Sequence, residues 1–338
     1  MEDNKRPVTL SVIVPCYNVE PYLDRTFRCL ERQWNGRHDY EIILINDAST
    51  DGTIGKLNEF KQRYPDNVTV INKTVNQGAA EARNSGLDVA RGEWIVFFDP
   101  DDALVDNGYA RLLDLTQGKD FDILSFEVEI VPEKEWDDAL THAPFTADIE
   151  WEGSAQDYML NHHYGTSIKF FFKRELMKGM RFKPLTFLED LVFVLPIFLS
   201  EAKVGLTGAK VYFYILRGSS ATNMIDAKRL NRGCDDILTA IKFMEECKQG
   251  HSDAIKNRIG ERQAFYYGNL TARLMLSDKS RNEIKHHREE IQKLSIPRIY
   301  EGGKKQQFYE FLFKHPWMMT TLRPVYRAIR SVRSHFIH

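Results

Sequence analysis

Trp94-Ile95-Val96-Phe97-Phe98-Asp99-Pro100-Asp101-Asp102 is an apolar run of strand length that stops at three carboxylates within four positions. Unbroken β-prone and aromatic side chains read as a strand buried on both faces. Working outward, residues 10–14, 41–45 and 68–72 have the same character. Between them, residues 21–33, 53–64 and 79–90 carry apolar side chains at helical spacing. Pro21 suits a first helical turn, and Asp51-Gly52-Thr53 supplies turn and cap chemistry before the next helix. Strand–helix–strand repetition predicts an α/β fold with a mainly parallel central sheet and helices on both faces.

Further strands are expected at residues 123–130, 168–172 and 211–215, a helix near 190–199, and an irregular acidic stretch at 132–152. From about Ala227 the pattern is helical only, with helices expected at 227–248, 254–276 and 282–294. The division predicted is therefore 1–223 for the α/β domain, 224–303 for a helical C-terminal region and 304–338 for a basic tail. A net charge of −2 argues against a nucleic-acid partner. Cys16, Cys29, Cys234 and Cys247 lack zinc-site spacing and disulfide density, which suits a reducing compartment. Residues 1–7 are polar, unlike a signal peptide, and no apolar run is long enough to span a bilayer. The expected location is the cytoplasm, with at most a peripheral contact on the inner face of the cell membrane.

In an open parallel sheet, ligands bind beyond the carboxyl ends of the strands. Pro15-Cys16-Tyr17-Asn18 follows the first strand, residues 46–52 the second, Asn76-Gln77-Gly78 and Arg83-Asn84 the third, and the acidic cluster the fourth. Three neighbouring carboxylates repel one another, and hard oxygen ligands suit Mg²⁺ or Mn²⁺ bridging to substrate phosphates. The bland alternative is an acidic turn capping a helix near Asp106. Asp47 likewise is either a turn former or an acceptor for a nucleobase N–H, with Tyr17 free to stack on the base. There is no Walker A sequence and no Gly-x-Gly-x-x-Gly after the first strand, which weakens kinase and dinucleotide readings. His162-His163 and His286-His287 are adjacent pairs unsuited to sharing a metal, and Phe170-Phe171-Phe172 reads as core.

Four ordered stretches carry a resemblance. Ser11-Val12-Ile13-Val14-Pro15-Cys16-Tyr17-Asn18, Ile45-Asn46-Asp47-Ala48-Ser49-Thr50-Asp51-Gly52-Thr53, residues 76–86 and Phe97-Phe98-Asp99-Pro100-Asp101-Asp102 resemble the successive motifs of family 2 glycosyltransferases. The resemblance implies a Rossmann-like GT-A domain and inverting transfer from a UDP-sugar, in the setting of surface polysaccharide synthesis. It implies donor contacts at Pro15, Tyr17, Asp47, Arg83, Asp99 and Asp101, and a Mn²⁺ or Mg²⁺ ion on Asp101 and Asp102. Phe187-Leu188-Glu189-Asp190 resembles the motif whose Asp is the catalytic base, with Glu189 beside it for base orientation or the acceptor. Residues 214–220 resemble a loop that closes over the diphosphate through Arg217, Ser219 and Ser220. Without the upstream motifs, Glu189-Asp190 would read as an acidic first turn of a helix. The acceptor implied is a saccharide or lipid-linked saccharide. Two other readings stay open: a sugar-phosphate nucleotidyltransferase, which wants a Gly-rich turn after the first strand, and a non-catalytic nucleotide-sugar-binding protein.

The tail carries seven Lys/Arg against one acid from Lys304 to His338. Met318, Leu322, Val325, Ile329, Val332 and Phe336 are spaced to form one helical stripe after Pro316-Trp317, flanked by Arg323, Arg327, Arg330 and Arg333. Such a stripe either docks on preceding helices or lies, over residues 316–338, on an anionic membrane surface.

Overall fold

The computed structural model describes residues 8–34, 39–142, 145–217, 227–297 and 303–335, with the side chains at 303–306, 309 and 328–335 set aside. Strands β1 (Leu10–Cys16), β2 (Tyr40–Asp47), β3 (Val68–Lys73) and β4 (Trp94–Phe97) lie side by side in the order β3-β2-β1-β4, all parallel. Every residue of β1, β2 and β4 is buried, as unbroken apolar runs require. Helices α1 (Leu23–Trp34), α2 (Thr53–Arg63) and α3 (Ala79–Val89) make the crossovers. Gly86 lets α3 lie tight on the sheet: a Cβ there would come within 2.5 Å of Ile13 Cγ2 and 3.2 Å of Ile45 Cδ1.

Beyond β4 the direction reverses. Strand β8 (Phe170–Lys173) is antiparallel both to β4 and to β6 (Ile123–Pro132). Strand β9 (Lys203–Leu216) then runs parallel to β6, while β5 (Ala103–Leu104) and β7 (Trp151–Ser154) pair antiparallel with it. The sheet is thus mixed: its first half has the expected parallel order, and one reversed strand joins it to the second. Residues 132–152, expected to be irregular, hold the short turns Glu133–Glu135 and Asp138–His142 before running into β7. Phe170, Phe171 and Phe172 are fully buried, with Phe171 against Tyr109 at 5.2 Å and Phe170 against Phe198 at 5.1 Å between ring centroids. Helices α4 (Gly108–Thr116), α5 (Ala155–Asn161) and α6 (Glu189–Phe198) complete this part.

The chain divides into two compact units, Met1–Pro184 with Glu189–Ser220, and Leu185–Leu188 with Ala221–His338. The second holds α7 (Ala227–Glu246), α8 (Asp253–Leu274), α9 (Arg281–Gln292), α10 (Gly303–Lys314) and α11 (Pro316–His335), with no strand among the described residues. Ser252 caps α8, and Ser280 with Glu283 closes a capping box on α9. No helix among the described residues is long and apolar enough to cross a membrane.

Of the apolar stripe that the sequence leaves free to dock or to face outward, helix α11 turns Leu322 and Val325 outward. Met319 is buried, whereas Trp317, like them, is exposed. Arg323 donates to the carbonyls of Leu274 (3.2 Å) and Lys279 (2.9 Å), and Arg327 to those of Leu276 (2.5 Å) and Ser277 (2.7 Å) and to Asp278 (2.7 Å). Leu274 ends α8 and the other carbonyls follow it, close to the negative end of the helix dipole, where guanidinium donors are favoured. Phe336 lies outside the described residues, as do the side chains of Ile329, Arg330, Val332 and Arg333.

Candidate active site

The loops at the carboxyl ends of β1 and β2 are laced together. Asn18, in the left-handed region at φ 51°, accepts from the Thr50 N–H at its Oδ1 (2.8 Å) and donates its own N–H to Ser49 Oγ (3.1 Å). Glu20 N–H donates to Asp51 (3.2 Å), and Gly52 N–H to Glu20 (2.8 Å). Pro15 and Cys16, the last two residues of β1, are buried, and Tyr17 after them presents an exposed ring. Left-handed non-glycine residues are costly and gather where structure serves a ligand. Asn18, Ala48 and Leu188, which directly precedes α6, are three of them.

Asp47 closes β2 and is only 2% exposed. Its carboxylate accepts from Gln77 N–H (3.1 Å) and Gly78 N–H (2.7 Å) and pairs with Lys73 Nζ at 2.8 Å. Gly78 reaches it with φ at 90°, a conformation that favours glycine, while also capping α3. Most lone-pair sites on this carboxylate are therefore taken by its own chain.

The centre of the rim is Arg83 of α3. Its guanidinium is buried and donates to Asp99 Oδ1 (3.0 Å), Glu189 Oε1 (3.3 Å) and Asp190 Oδ1 (3.3 Å), over the Phe182 ring at 5.5 Å. Burial alone would lower its pKa, but Asp190, Asp99 and Glu189 raise it above the ordinary value. Arg83 thus serves as the shared counter-ion of the strand-end acid and the two acids opening α6. Asp99 is raised in turn, by burial first, against the pull of Arg83. Glu189 is pushed up to about 7, first by burial and then by the neighbouring Asp190. Asp190 also accepts from Ser167 Oγ (2.8 Å) and Thr166 Oγ1 (3.2 Å).

The other two acids of the cluster part company. Asp101 stays at the rim, where its carboxylate pairs with Arg217 and its carbonyl accepts from Arg25 Nη2 (2.5 Å). Arg217 is buried over the Tyr22 ring at 4.4 Å, with Glu133 Oε1 at 3.7 Å from Nε. Asp102, expected to hold a metal, is turned into the core at 1% exposure. It accepts from Tyr212 Oη (2.7 Å) and Ile215 N–H (2.9 Å), fastening β9 to the end of β4. Burial, then Asp101 and Asp99, hold its pKa well above the carboxylate range. Its carboxylate is thus taken up by the chain's own groups, as that of Asp47 is. Ser219 and Ser220 lie outside the described residues.

Among the described residues no group of three or more His, Cys, Asp or Glu side chains is disposed to hold a metal ion. A hard divalent ion needs no such cage when one or two carboxylates share it with substrate phosphates. Asp101 suits that arrangement, being partly exposed and already facing a cation in Arg217. Sequence reasoning missed Ser167, Thr166, Arg25 and Tyr212, whose roles arise from contacts far apart in the chain.

The profile of glycosyl transferase family 2 matches residues 11–181, about half of the chain. The chain belongs to that family. It is 26% identical over 249 residues to a poly(ribitol-phosphate) beta-glucosyltransferase of Bacillus spizizenii, covering 71% of this chain and 38% of the relative. It is 30% identical over 250 residues to the minor teichoic acid biosynthesis protein GgaB of Bacillus subtilis, covering 72% and 27%. The chain thus spans well under half the length of either relative. In fold it matches residues 1–349 of S. aureus TarS in complex with UDP-GlcNAc, with a TM-score of 0.65 at 17% identity over 96% of this chain and 92% of that one. The mannosyltransferase PcManGT of Pyrobaculum calidifontis, in complex with GDP-Man and Mn²⁺, gives a TM-score of 0.54 at 16% identity over 94% and 87%. The fold is GT-A.

Glu189 supplies a test of the site's electrostatics. A folded-state pKa of about 7 against an ordinary 4.5 means that the folded protein holds a proton here that the unfolded chain has released. The associated stability is complete below the ordinary value and is lost as pH rises through the folded one. Glu189→Gln, which cannot ionise, is expected to raise the melting temperature at pH 8 and to leave it nearly unchanged at pH 4, below the ordinary value. Equal shifts at both pH values would contradict the burial of this charge.

Proposed function

We propose that residues 1–223 transfer a sugar from a UDP-sugar to an acceptor hydroxyl with inversion at the anomeric carbon, and that Asp190 is the base. The observation that carries this reading is the placement of Asp190 on the same guanidinium as Asp99, so that one residue links the α6 acid to the donor-side rim. The acceptor hydroxyl gives its proton to Asp190 as its oxygen bonds to the anomeric carbon. The bond from that carbon to the diphosphate breaks, and its electron pair leaves with UDP.

Tyr17, exposed at the end of β1, stacks on uracil. Asp47 accepts the base N–H once the Gln77 and Gly78 contacts give way. Arg217, with Ser219 and Ser220 beyond it, meets the diphosphate, for which a guanidinium is a strong partner. Asp101 would hold a Mn²⁺ or Mg²⁺ ion, joined by Asp102 once its Tyr212 and Ile215 contacts give way, and such an ion would neutralise charge developing on the leaving diphosphate. Glu189 borders the acceptor side. The acceptor is a saccharide or lipid-linked saccharide; the names of the Bacillus relatives, which speak of poly(ribitol-phosphate) and teichoic acid, favour a polymer among these, and the nucleotide named in the TarS complex favours a UDP-sugar donor.

The cytoplasm, beside the membrane's inner face, is where such substrates meet. For lipid contact, α11 offers Trp317, Leu322 and Val325 on its outward face, while Arg323 and Arg327 are engaged on carbonyls.

Asp190→Asn is expected to lower sugar transfer by about 10²–10⁴-fold while leaving UDP affinity by calorimetry unchanged. Chelation is expected to stop UDP release from the preferred UDP-sugar, and Mn²⁺ or Mg²⁺ to restore it. Wild-type turnover in the variant would overturn the base, and full activity under thorough chelation would overturn the metal. For the tail, the lipid reading requires flotation with anionic vesicles that weakens with salt and is lost on deletion of residues 316–338. Equal flotation of the truncated chain would remove the tail from any membrane role.

A further inference from the structure

Two hydroxyls meet the carboxylate of Asp190, and neither belongs to a motif of the sequence. Ser167 Oγ donates to Oδ1 at 2.8 Å and Thr166 Oγ1 to Oδ2 at 3.2 Å, both from the segment that leads into β8. Arg83 adds a longer contact to Oδ1 at 3.3 Å. Ser167 is 0% exposed, so no bulk water stands ready to replace its hydroxyl.

The terminal torsion of an Asp side chain is broad, so α6 alone does not set the plane of this carboxylate. Donors on both oxygens set it. Oδ1 receives two donors and Oδ2 one, which leaves Oδ2 the oxygen with room for an incoming O–H. Arg83 is divided among three carboxylates and cannot serve as the sole clamp.

We propose that Ser167 and Thr166 are positioning residues for Asp190, fixing the carboxylate plane and presenting Oδ2 to the acceptor hydroxyl. The inference rests on Asp190 being the base. Small displacements of a reacting group are costly in rate and need not alter donor binding.

Ser167→Ala is expected to lower kcat roughly 10-fold with the donor KM unchanged. The same substitution placed in Asp190→Asn is expected to leave the residual turnover where it was, because residues acting through one another are not additive. Thr166→Ser, which keeps the hydroxyl, is expected to retain turnover that Thr166→Val loses in part. If Asp190→Asn itself keeps wild-type turnover, the base reading fails and this proposal falls with it. If Asp190→Asn is inactive while Ser167→Ala has wild-type kcat, only the positioning role is overturned. An equal loss from Ser167→Ala in both backgrounds, or equal turnover in Thr166→Ser and Thr166→Val, would likewise reduce the hydroxyls to packing.

Discussion

A single buried guanidinium holds the rim of this sheet together. Arg83 stands between Asp99 at the end of β4 and the Glu189-Asp190 pair that opens α6. Three carboxylates in so little solvent would repel one another and protonate without a partner, and one cation offsets only part of that charge. The remainder appears as the raised pKa of Glu189 and of Asp99. Removing one partner from such a network leaves uncompensated buried charge, which costs several kcal/mol, about 3–5 in measured cases. The start of α6, and with it the proposed base, therefore depends on a residue from α3.

On the proposed donor side, the chain's own groups take up the candidate contacts. Asp47 is held by Lys73 and two backbone N–H groups, and Asp101 by Arg217. Each contact mimics in charge or hydrogen-bond sense what a nucleotide or a cation would bring. Under the proposed function, donor binding is an exchange of partners, which limits the net gain per contact but favours ligands presenting both a base N–H and phosphate-bound charge.

The first half of the fold was legible because its strands are buried on both faces, and such runs announce themselves without regard to neighbours. The reversal at β8 was not, since periodicity carries no strand direction. The rim motifs located Arg83, Asp99, Asp101 and Asp190, but sequence could not rank three acids in four positions. Asp102 was separated from them by Tyr212 and Ile215, more than a hundred residues away. Ser167 and Thr166 were invisible for a related reason: a lone hydroxyl acquires meaning only from the group it meets. In α11 the apolar spacing left open whether the stripe packs or faces outward, and the structure leaves Leu322 and Val325 outward while Arg323 and Arg327 bind carbonyls at and after the end of α8.

Arg83→Lys separates a shared counter-ion from a donor ligand. Lysine keeps the charge but lacks the planar fork that reaches three carboxylates at once. Turnover of the preferred UDP-sugar should fall by at least about 10-fold while UDP affinity, measured by calorimetry, stays within a few-fold of wild type. Wild-type turnover, or a collapse of UDP binding in parallel with turnover, would contradict the organisation of the site around Arg83.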